Sequence, residues 1–130
     1  MSKRKILLVD DSPDLLKLIG ARIKQWGYGL IKAQDGQEAL RMAKEEDPDI
    51  IILDYMLPDS DGIKVLRQIR EFNKTVPVIM FTAYPEISAM DEARDLAISA
   101  FIPKFNIYSD IDPLLKSAIH MAEKSLKGGT

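Results

Sequence analysis

The amino-acid sequence predicts an α/β fold of the (βα)5 type, a doubly wound parallel sheet with helices on both faces. Three observations support this prediction. Short apolar runs recur at regular intervals along the 130 residues, stretches with helical spacing separate them, and polar residues follow several of the runs. Continuous apolar runs are typical of buried parallel strands, because helices cover such strands on both faces.

Five apolar runs are the candidate strands. They cover residues 5–9, 30–33, 50–53, 76–81 and 100–102. The stretches with helical spacing cover residues 13–26, 37–46, 63–72, 86–96 and 111–126. Strand and helix therefore alternate five times. Right-handed crossovers between parallel strands leave few other topologies.

The first and the last predicted helices carry clear start signals. Ser12 is a candidate N-cap with Pro13 at the first helical position, and Gly27 ends that helix. In the last helix Asp110 or Asp112 is the candidate cap, with a proline in the first turn. The apolar stripes predicted to face the sheet are Leu15, Leu16, Ile19 and Ile23 in the first helix and Leu115, Ala118, Ile119 and Ala122 in the last.

Composition restricts the possible functions. A net charge of −2 argues against a nucleic-acid-binding surface, and the absence of cysteine excludes thiol catalysis, Fe–S clusters and Cys-rich zinc sites. No apolar run is long enough to span a bilayer, so we expect a soluble, cytoplasmic protein that does not contact a membrane. We expect a single domain over residues 1–126, followed by a frayed tail or the start of a linker at 127–130.

Polar residues follow four of the apolar runs, directly or within two positions. They are Asp10, Asp11, Asp54, Thr82 and Lys104. The carboxyl ends of parallel strands meet at one edge of a sheet, where ligands bind. If the strands follow the flavodoxin-like order 2-1-3-4-5, the first and third strands are neighbours and the three aspartates crowd together.

Three crowded carboxylates suit a divalent cation and phosphoryl chemistry. A bound cation relieves their mutual repulsion, and Mg²⁺ is preferred over Ca²⁺ or zinc because it favours oxygen ligands and is available in cytoplasm. An aspartate can then attack a phosphoryl group and carry it as an acyl phosphate. Lys104 would supply a second positive charge, and Thr82 would donate a hydrogen bond to a phosphoryl oxygen.

Five segments together resemble the CheY-like receiver domain of bacterial two-component response regulators. They are ILLVDD at 6–11, IILDYMLP at 51–58, DG at 61–62, PVIMFTA at 77–83 and PK at 103–104. The resemblance implies a phosphorelay signalling module, not an enzyme with an external substrate, which accepts a phosphoryl group from a partner histidine kinase or phosphotransfer protein. The resemblance further implies that this module assists its own phosphorylation and dephosphorylation.

The resemblance also implies roles for individual residues. By the resemblance, Asp54 would be the phosphoacceptor and Asp11 a direct ligand of Mg²⁺. Asp10 would act mainly through a metal-bound water, and the backbone carbonyl of Met56 would complete the metal site. The phosphoryl oxygens would be held by Thr82 and Lys104.

A switch is implied as well, formed by Thr82 and the aromatic Phe101. Movement of the threonine hydroxyl toward the phosphoryl group would let the ring turn inward. The surface of helix 4, strand 5 and helix 5 would change and would contact a downstream protein or a second copy, but not nucleic acid. By the same resemblance, Met56 and Tyr84 correspond to variable positions that flank the path of attacking water, and we expect this bulky, largely apolar pair to slow self-hydrolysis.

Two positions depart from the family pattern. Receiver domains usually follow the lysine with proline in a cis peptide, whereas Phe105 follows Lys104 here, which leaves the cis or trans state of that bond open. Ala97 and Ile98 stand where a Gly-Ala pair often ends helix 4, so the favoured left-handed cap residue is missing.

Two alternative functions remain open at this point. One is a receiver-like binding scaffold that works without phosphorylation. The other is a phosphohydrolase with an aspartyl nucleophile, which is less favoured because such enzymes usually carry Asp-x-Asp near the first strand, whereas Asp10 and Asp11 are adjacent here.

Overall fold

The computed structural model describes residues 4–82, 87–103 and 111–128, and it has the predicted alternation of strands and helices. The strands are β1 (Lys5–Val9), β2 (Gly29–Ala33), β3 (Ile50–Asp54), β4 (Val78–Thr82) and β5 (Ala100–Pro103). The helices are α1 (Pro13–Gln25), α2 (Gly36–Glu45), α3 (Gly62–Phe72), α4 (Ile87–Asp95) and α5 (Ile111–Gly128). Within these ranges, no helix combines the length and the apolar character needed to cross a bilayer.

The five strands form one parallel sheet in the order β2-β1-β3-β4-β5, which confirms the predicted topology. Val9 at the end of β1 pairs with Leu53 of β3, and Asp54 pairs with Phe81 of β4. These registers bring the carboxyl ends of the three central strands to the same edge. The residues that follow β1 and end β3 are therefore neighbours in space.

The helices cover the sheet in two layers. α1 and α5 bury their apolar stripes against one face, and α2, α3 and α4 cover the other. Alternate residues of each strand feed the two cores, as in Leu7 and Leu8 of β1, so the continuous apolar runs of the sequence are explained by burial on both sides. Of the predicted inward residues of α1 and α5, only Leu15 is not fully buried.

The start of α1 has the predicted cap. The Ser12 hydroxyl accepts a hydrogen bond from the Leu15 amide at 3.4 Å, and Pro13 occupies the first turn. At the other end Gly27 takes a φ of 95°, and the Tyr28 amide donates to the Ile23 carbonyl at 3.2 Å. This is the left-handed glycine ending of a Schellman motif.

The predicted cap of α5 is wrong for Asp112 and lies outside the described residues for Asp110. The helix begins at Ile111, so Asp112 is inside its first turn. Its carboxylate accepts a hydrogen bond from Arg22 Nε at 2.9 Å and so joins α5 to α1. The helix extends to Gly128, two residues beyond the predicted end.

The start of β4 also differs from the prediction. The apolar run begins at Val76, but the strand begins at Val78. Val76 is buried, and its carbonyl accepts a hydrogen bond from Arg70 Nη1 at 2.7 Å. Pro77 has no amide proton to donate to a neighbouring strand, so regular pairing starts after it.

α4 ends in a left-handed turn that contains no glycine. Ala97 takes a φ of 61°, its amide donates to the Arg94 carbonyl, and the Ile98 amide donates to the Ala93 carbonyl. These are the two bonds of a Schellman motif, with alanine at the left-handed position that glycine usually occupies. The ending is therefore retained at a cost in backbone strain.

We predict that Ala97→Gly raises the free energy of unfolding by about 1 kcal/mol, because glycine adopts the left-handed conformation without the clash of a Cβ atom. The matched control is Gly27→Ala, where a Cβ atom would meet nothing within 4 Å and only the backbone conformation matters. It should lower stability by a similar amount. Urea unfolding of both variants checks this, and a loss of stability in Ala97→Gly would contradict it.

Candidate functional site

Three carboxylates meet at the carboxyl edge of the sheet. Asp10 and Asp11 follow β1 directly, and Asp54 is the last residue of the neighbouring β3. Each of the three offers a carboxylate oxygen that lies within 4.8 Å of the others. Asp10 and Asp54 are 1% and 3% exposed, whereas Asp11 is open to solvent. The structure thus brings together the three aspartates that the sequence singled out.

Backbone amides hold the two buried carboxylates in place. The Ser12 amide donates to Asp10 Oδ1 at 2.9 Å, and the Met56 amide donates to Asp54 Oδ1 at 3.2 Å. Each donor lies two residues after its acceptor, so each carboxylate folds back over the turn that leaves its strand. Both side chains are therefore oriented by the chain that follows them.

The donor set fits a hard divalent cation. All three side chains supply oxygen and none supplies nitrogen or sulfur, which suits Mg²⁺. The separations allow the oxygens to surround one ion, and two of the three groups are shielded from water. Like charges at this distance repel one another, so a cation at their centre would be strongly favoured.

The loop between β3 and α3 is a compact unit. Met56 and Asp61 form an isolated antiparallel bridge, and the Leu57 amide donates to the Ser60 carbonyl at 3.2 Å. Asp61 then caps α3 by accepting a hydrogen bond from the Lys64 amide at 2.9 Å. The Met56 side chain is 59% exposed, so its contact with the rest of the protein is mainly through the backbone.

Gly62 explains why the Asp-Gly pair ends this loop. Its amide donates to the Tyr55 carbonyl at 2.6 Å, which brings the first turn of α3 against the end of β3. A Cβ atom at position 62 would lie 2.6 Å from the Asp54 carbonyl oxygen and 2.9 Å from the Tyr55 Cα atom. Only glycine allows α3 to approach the carboxylate edge so closely.

Asp59, in the loop that leaves the site, makes long-range contacts that the sequence analysis did not identify. Its carboxylate reaches from this loop to the start of α2 and accepts hydrogen bonds from the Gly36 amide at 2.7 Å and the Gln37 amide at 3.0 Å. These bonds, first the one from Gly36, hold the pKa of Asp59 below its usual value. The partners are more than twenty residues away in sequence, so no local pattern could have indicated them.

Other predicted site residues are only partly described. Thr82 ends β4 and pairs with Pro103 of β5, but its side chain lies outside the described part of the chain. Lys104 and Tyr84, and with them the bond between Lys104 and Phe105, also lie outside the described residues.

Phe101 lies on β5 opposite Met80 of β4. Its ring is half-buried and packs against the core under α2, α3 and α4. The Phe101 side chain therefore lies at the edge of that core and is partly open to solvent.

Arg70, near the end of α3, joins that helix to the end of α4. Its Nε donates to the Leu96 carbonyl at 2.8 Å and its Nη2 to the Ala97 carbonyl at 3.3 Å, at the end of α4. Burial lowers the pKa of the half-buried guanidinium. An exposed ion pair between Arg67 and Glu92 adds a second, weaker link between α3 and α4.

Comparison with known proteins gives one family. The profile of the response regulator receiver domain matches residues 6–115. The chain is 33% identical over 108 residues to sporulation initiation phosphotransferase F of Bacillus subtilis, which covers 82% of this chain and 87% of that protein. It is 32% identical over 125 residues to the probable transcriptional regulator ycf27 of Porphyridium aerugineum, and this match covers 96% of the chain but only 52% of the relative.

Solved structures share the fold. A CheY-like receiver domain protein from Methanospirillum hungatei has a TM-score of 0.89 at 23% identity, with 98% of this chain and 99% of that chain covered. The response regulator TrrA from Thermotoga maritima, solved in complex with Mg(2+)-BeF, has a TM-score of 0.77 at 27% identity, with 91% and 98% covered.

The close approach at Gly62 generates a prediction. We expect Gly62→Ala to lower the free energy of unfolding by about 1–3 kcal/mol, because the added methyl group meets backbone atoms that cannot rotate away. Gly29→Ala is the control, since a Cβ atom there would lie 3.4 Å from its nearest neighbour, a flexible lysine side chain. Thermal and urea unfolding compare the two, and equal stability of the variants would contradict the prediction.

Proposed function

This chain belongs to the response regulator receiver domain family, as its sequence resemblance predicted, and we propose that it accepts a phosphoryl group on Asp54. The observation that carries the proposal is the cluster of three carboxylates at the carboxyl edge of the sheet. Asp54 is the buried member that lies on the central strand β3, between Asp10 and the end of β4. The carboxyl edge of a doubly wound sheet is where such folds bind their ligands.

In the proposed reaction a carboxylate oxygen of Asp54 attacks phosphorus, and the bond from phosphorus to the donor's histidine nitrogen breaks. The Met56 amide holds the attacking carboxylate through Oδ1, so the group enters the reaction already oriented. Burial of Asp54 limits the access of water to the acyl phosphate that forms. Thr82 and Lys104 are the proposed partners of the phosphoryl oxygens.

The proposed cofactor is Mg²⁺, held by Asp10, Asp11, Asp54 and the backbone carbonyl of Met56. When bound, it would neutralise negative charge between the nucleophile and the phosphoryl group. The oxygen-only donor set supports this assignment. It is also supported by the structural similarity to TrrA, whose structure was solved with Mg(2+)-BeF.

We propose a histidine kinase or a phosphotransfer protein as the phosphodonor. Similarity to sporulation initiation phosphotransferase F over most of both chains supports a role in phosphoryl transfer between proteins. The chain spans about half the length of the ycf27 relatives that it matches. We therefore do not propose for this chain the transcriptional regulation that the names of those relatives state.

We further propose that Thr82 and Phe101 couple phosphorylation to the surface formed by α4, β5 and α5. The half-buried position of Phe101 supports this, because a side chain at the edge of a core changes its exposure with less repacking than an enclosed one. That surface would contact a downstream protein or a second copy of the chain. Met56 and Tyr84 are the proposed determinants of the lifetime of the acyl phosphate, and the exposed Met56 side chain beside Asp54 supports the first of these.

The direct test is intact mass spectrometry after incubation with a small acyl phosphate or phosphoramidate, with and without Mg²⁺. We expect one added phosphoryl group that requires Mg²⁺ and is absent from Asp54→Asn. Asp14→Asn, which removes an exposed carboxylate from the first turn of α1, is the control and should be phosphorylated like the wild type. An adduct that persists in Asp54→Asn would contradict the assigned acceptor. Binding of Mg²⁺ without any adduct would favour the scaffold interpretation.

A further inference from the structure

We infer that Asp59 is a positioning residue for the Mg²⁺ site, which ties the loop that carries the Met56 carbonyl to the start of α2. The inference rests on the proposed function, because it concerns how one of the proposed metal ligands is held. Asp59 is exposed and is not itself a ligand. Its role follows from the two hydrogen bonds that it accepts across the gap between the loop and the helix.

Both carboxylate oxygens of Asp59 are used. Oδ1 accepts from the Gly36 amide at 2.7 Å, and Oδ2 accepts from the Gln37 amide at 3.0 Å. Two bonds to consecutive amides fix the orientation of the carboxylate as well as its position. The partial positive charge at the start of a helix also favours a carboxylate there. The tether is therefore more rigid than a single surface hydrogen bond.

The helix does not depend on Asp59 alone for its cap. Asp35 is the N-cap of α2 and accepts a hydrogen bond from the Glu38 amide at 2.7 Å. The two aspartates thus serve different amides of the same first turn, but only Asp59 comes from the loop between β3 and α3. The start of α2 therefore keeps a cap without Asp59, whereas the loop depends on Asp59 for its two hydrogen bonds with that helix.

The link from Asp59 to Met56 is short. The hydrogen bond between Leu57 and Ser60 closes the turn around Asp59, and the bridge between Met56 and Asp61 closes its base. The tip of this turn is tethered to α2, and its base carries the Met56 carbonyl. Because the residues from Met56 to Ser60 are exposed or half-buried, hydrogen bonds and not burial determine where the loop lies.

The test compares Asp59→Ala with Asp35→Ala as a matched control. Both variants remove a carboxylate that accepts hydrogen bonds from backbone amides in the first turn of α2, but only Asp59→Ala releases the loop. We expect Asp59→Ala to weaken Mg²⁺ binding about tenfold by calorimetry, within the range found for residues that orient metal ligands. Asp35→Ala should keep the wild-type affinity while it lowers the melting temperature. Asp59→Asn, which retains one acceptor oxygen, should recover part of the lost affinity.

Wild-type Mg²⁺ affinity in Asp59→Ala, or an equal loss in Asp35→Ala, would overturn the inference. Amide hydrogen exchange of the metal-free proteins distinguishes failure of this inference from failure of the proposed function. There we expect the Leu57 and Gly62 amides to exchange faster in Asp59→Ala than in Asp35→Ala. If the wild type does not bind Mg²⁺, the proposed function fails, and equal exchange in the two variants would show independently that Asp59 does not hold the loop.

Discussion

The electrostatic repulsion among Asp10, Asp11 and Asp54 is the constraint on which the site depends. Parallel strands β1 and β3 are neighbours, so residues that follow or end them must come close together. Two of the three carboxylates are buried, where water screens their repulsion poorly. The fold provides the free energy to hold them there, because the strands that carry them are anchored by two apolar cores. A divalent cation is the simplest group that relieves the repulsion.

Two contacts in the described part of the chain keep this edge in shape. Gly62 lets α3 approach the end of β3, and Asp59 ties the intervening loop to α2. At the opposite, amino edge of the sheet, where β5 begins, Arg70 donates to carbonyl groups at the end of α4, and Ala97 adopts a strained conformation there. The loop between β3 and α3 and the end of α4 are thus held by specific polar contacts with α2 and α3 respectively, at opposite edges of the sheet.

Much of the fold follows from local sequence patterns. Apolar runs predict the strands because both faces of the sheet are covered, and the strand order expected for such a sheet places Asp54 beside Asp10. The wrong prediction for Asp112 and the missed role of Asp59 both come from contacts between residues far apart in the sequence. Asp112 has the chemistry of a cap but bonds to a distant arginine, and Asp59 is ordinary loop composition until α2 is folded next to it. Long-range hydrogen bonds leave no periodic trace in a sequence, so such residues are found only in three dimensions.

The central claim is that the aspartate cluster is destabilised by its own charge and stabilised by a divalent cation. The most direct measurement is the free energy of unfolding in urea for the wild type and Asp10→Asn, each with and without Mg²⁺. Asparagine can keep the oxygen that accepts the Ser12 amide, while it removes the charge and replaces the other oxygen with an amide group. We predict that metal-free Asp10→Asn is more stable than the wild type by about 1 kcal/mol or more, and that Mg²⁺ stabilises the wild type far more than the variant. Lower stability of metal-free Asp10→Asn, together with equal effects of Mg²⁺ on both proteins, would contradict the account.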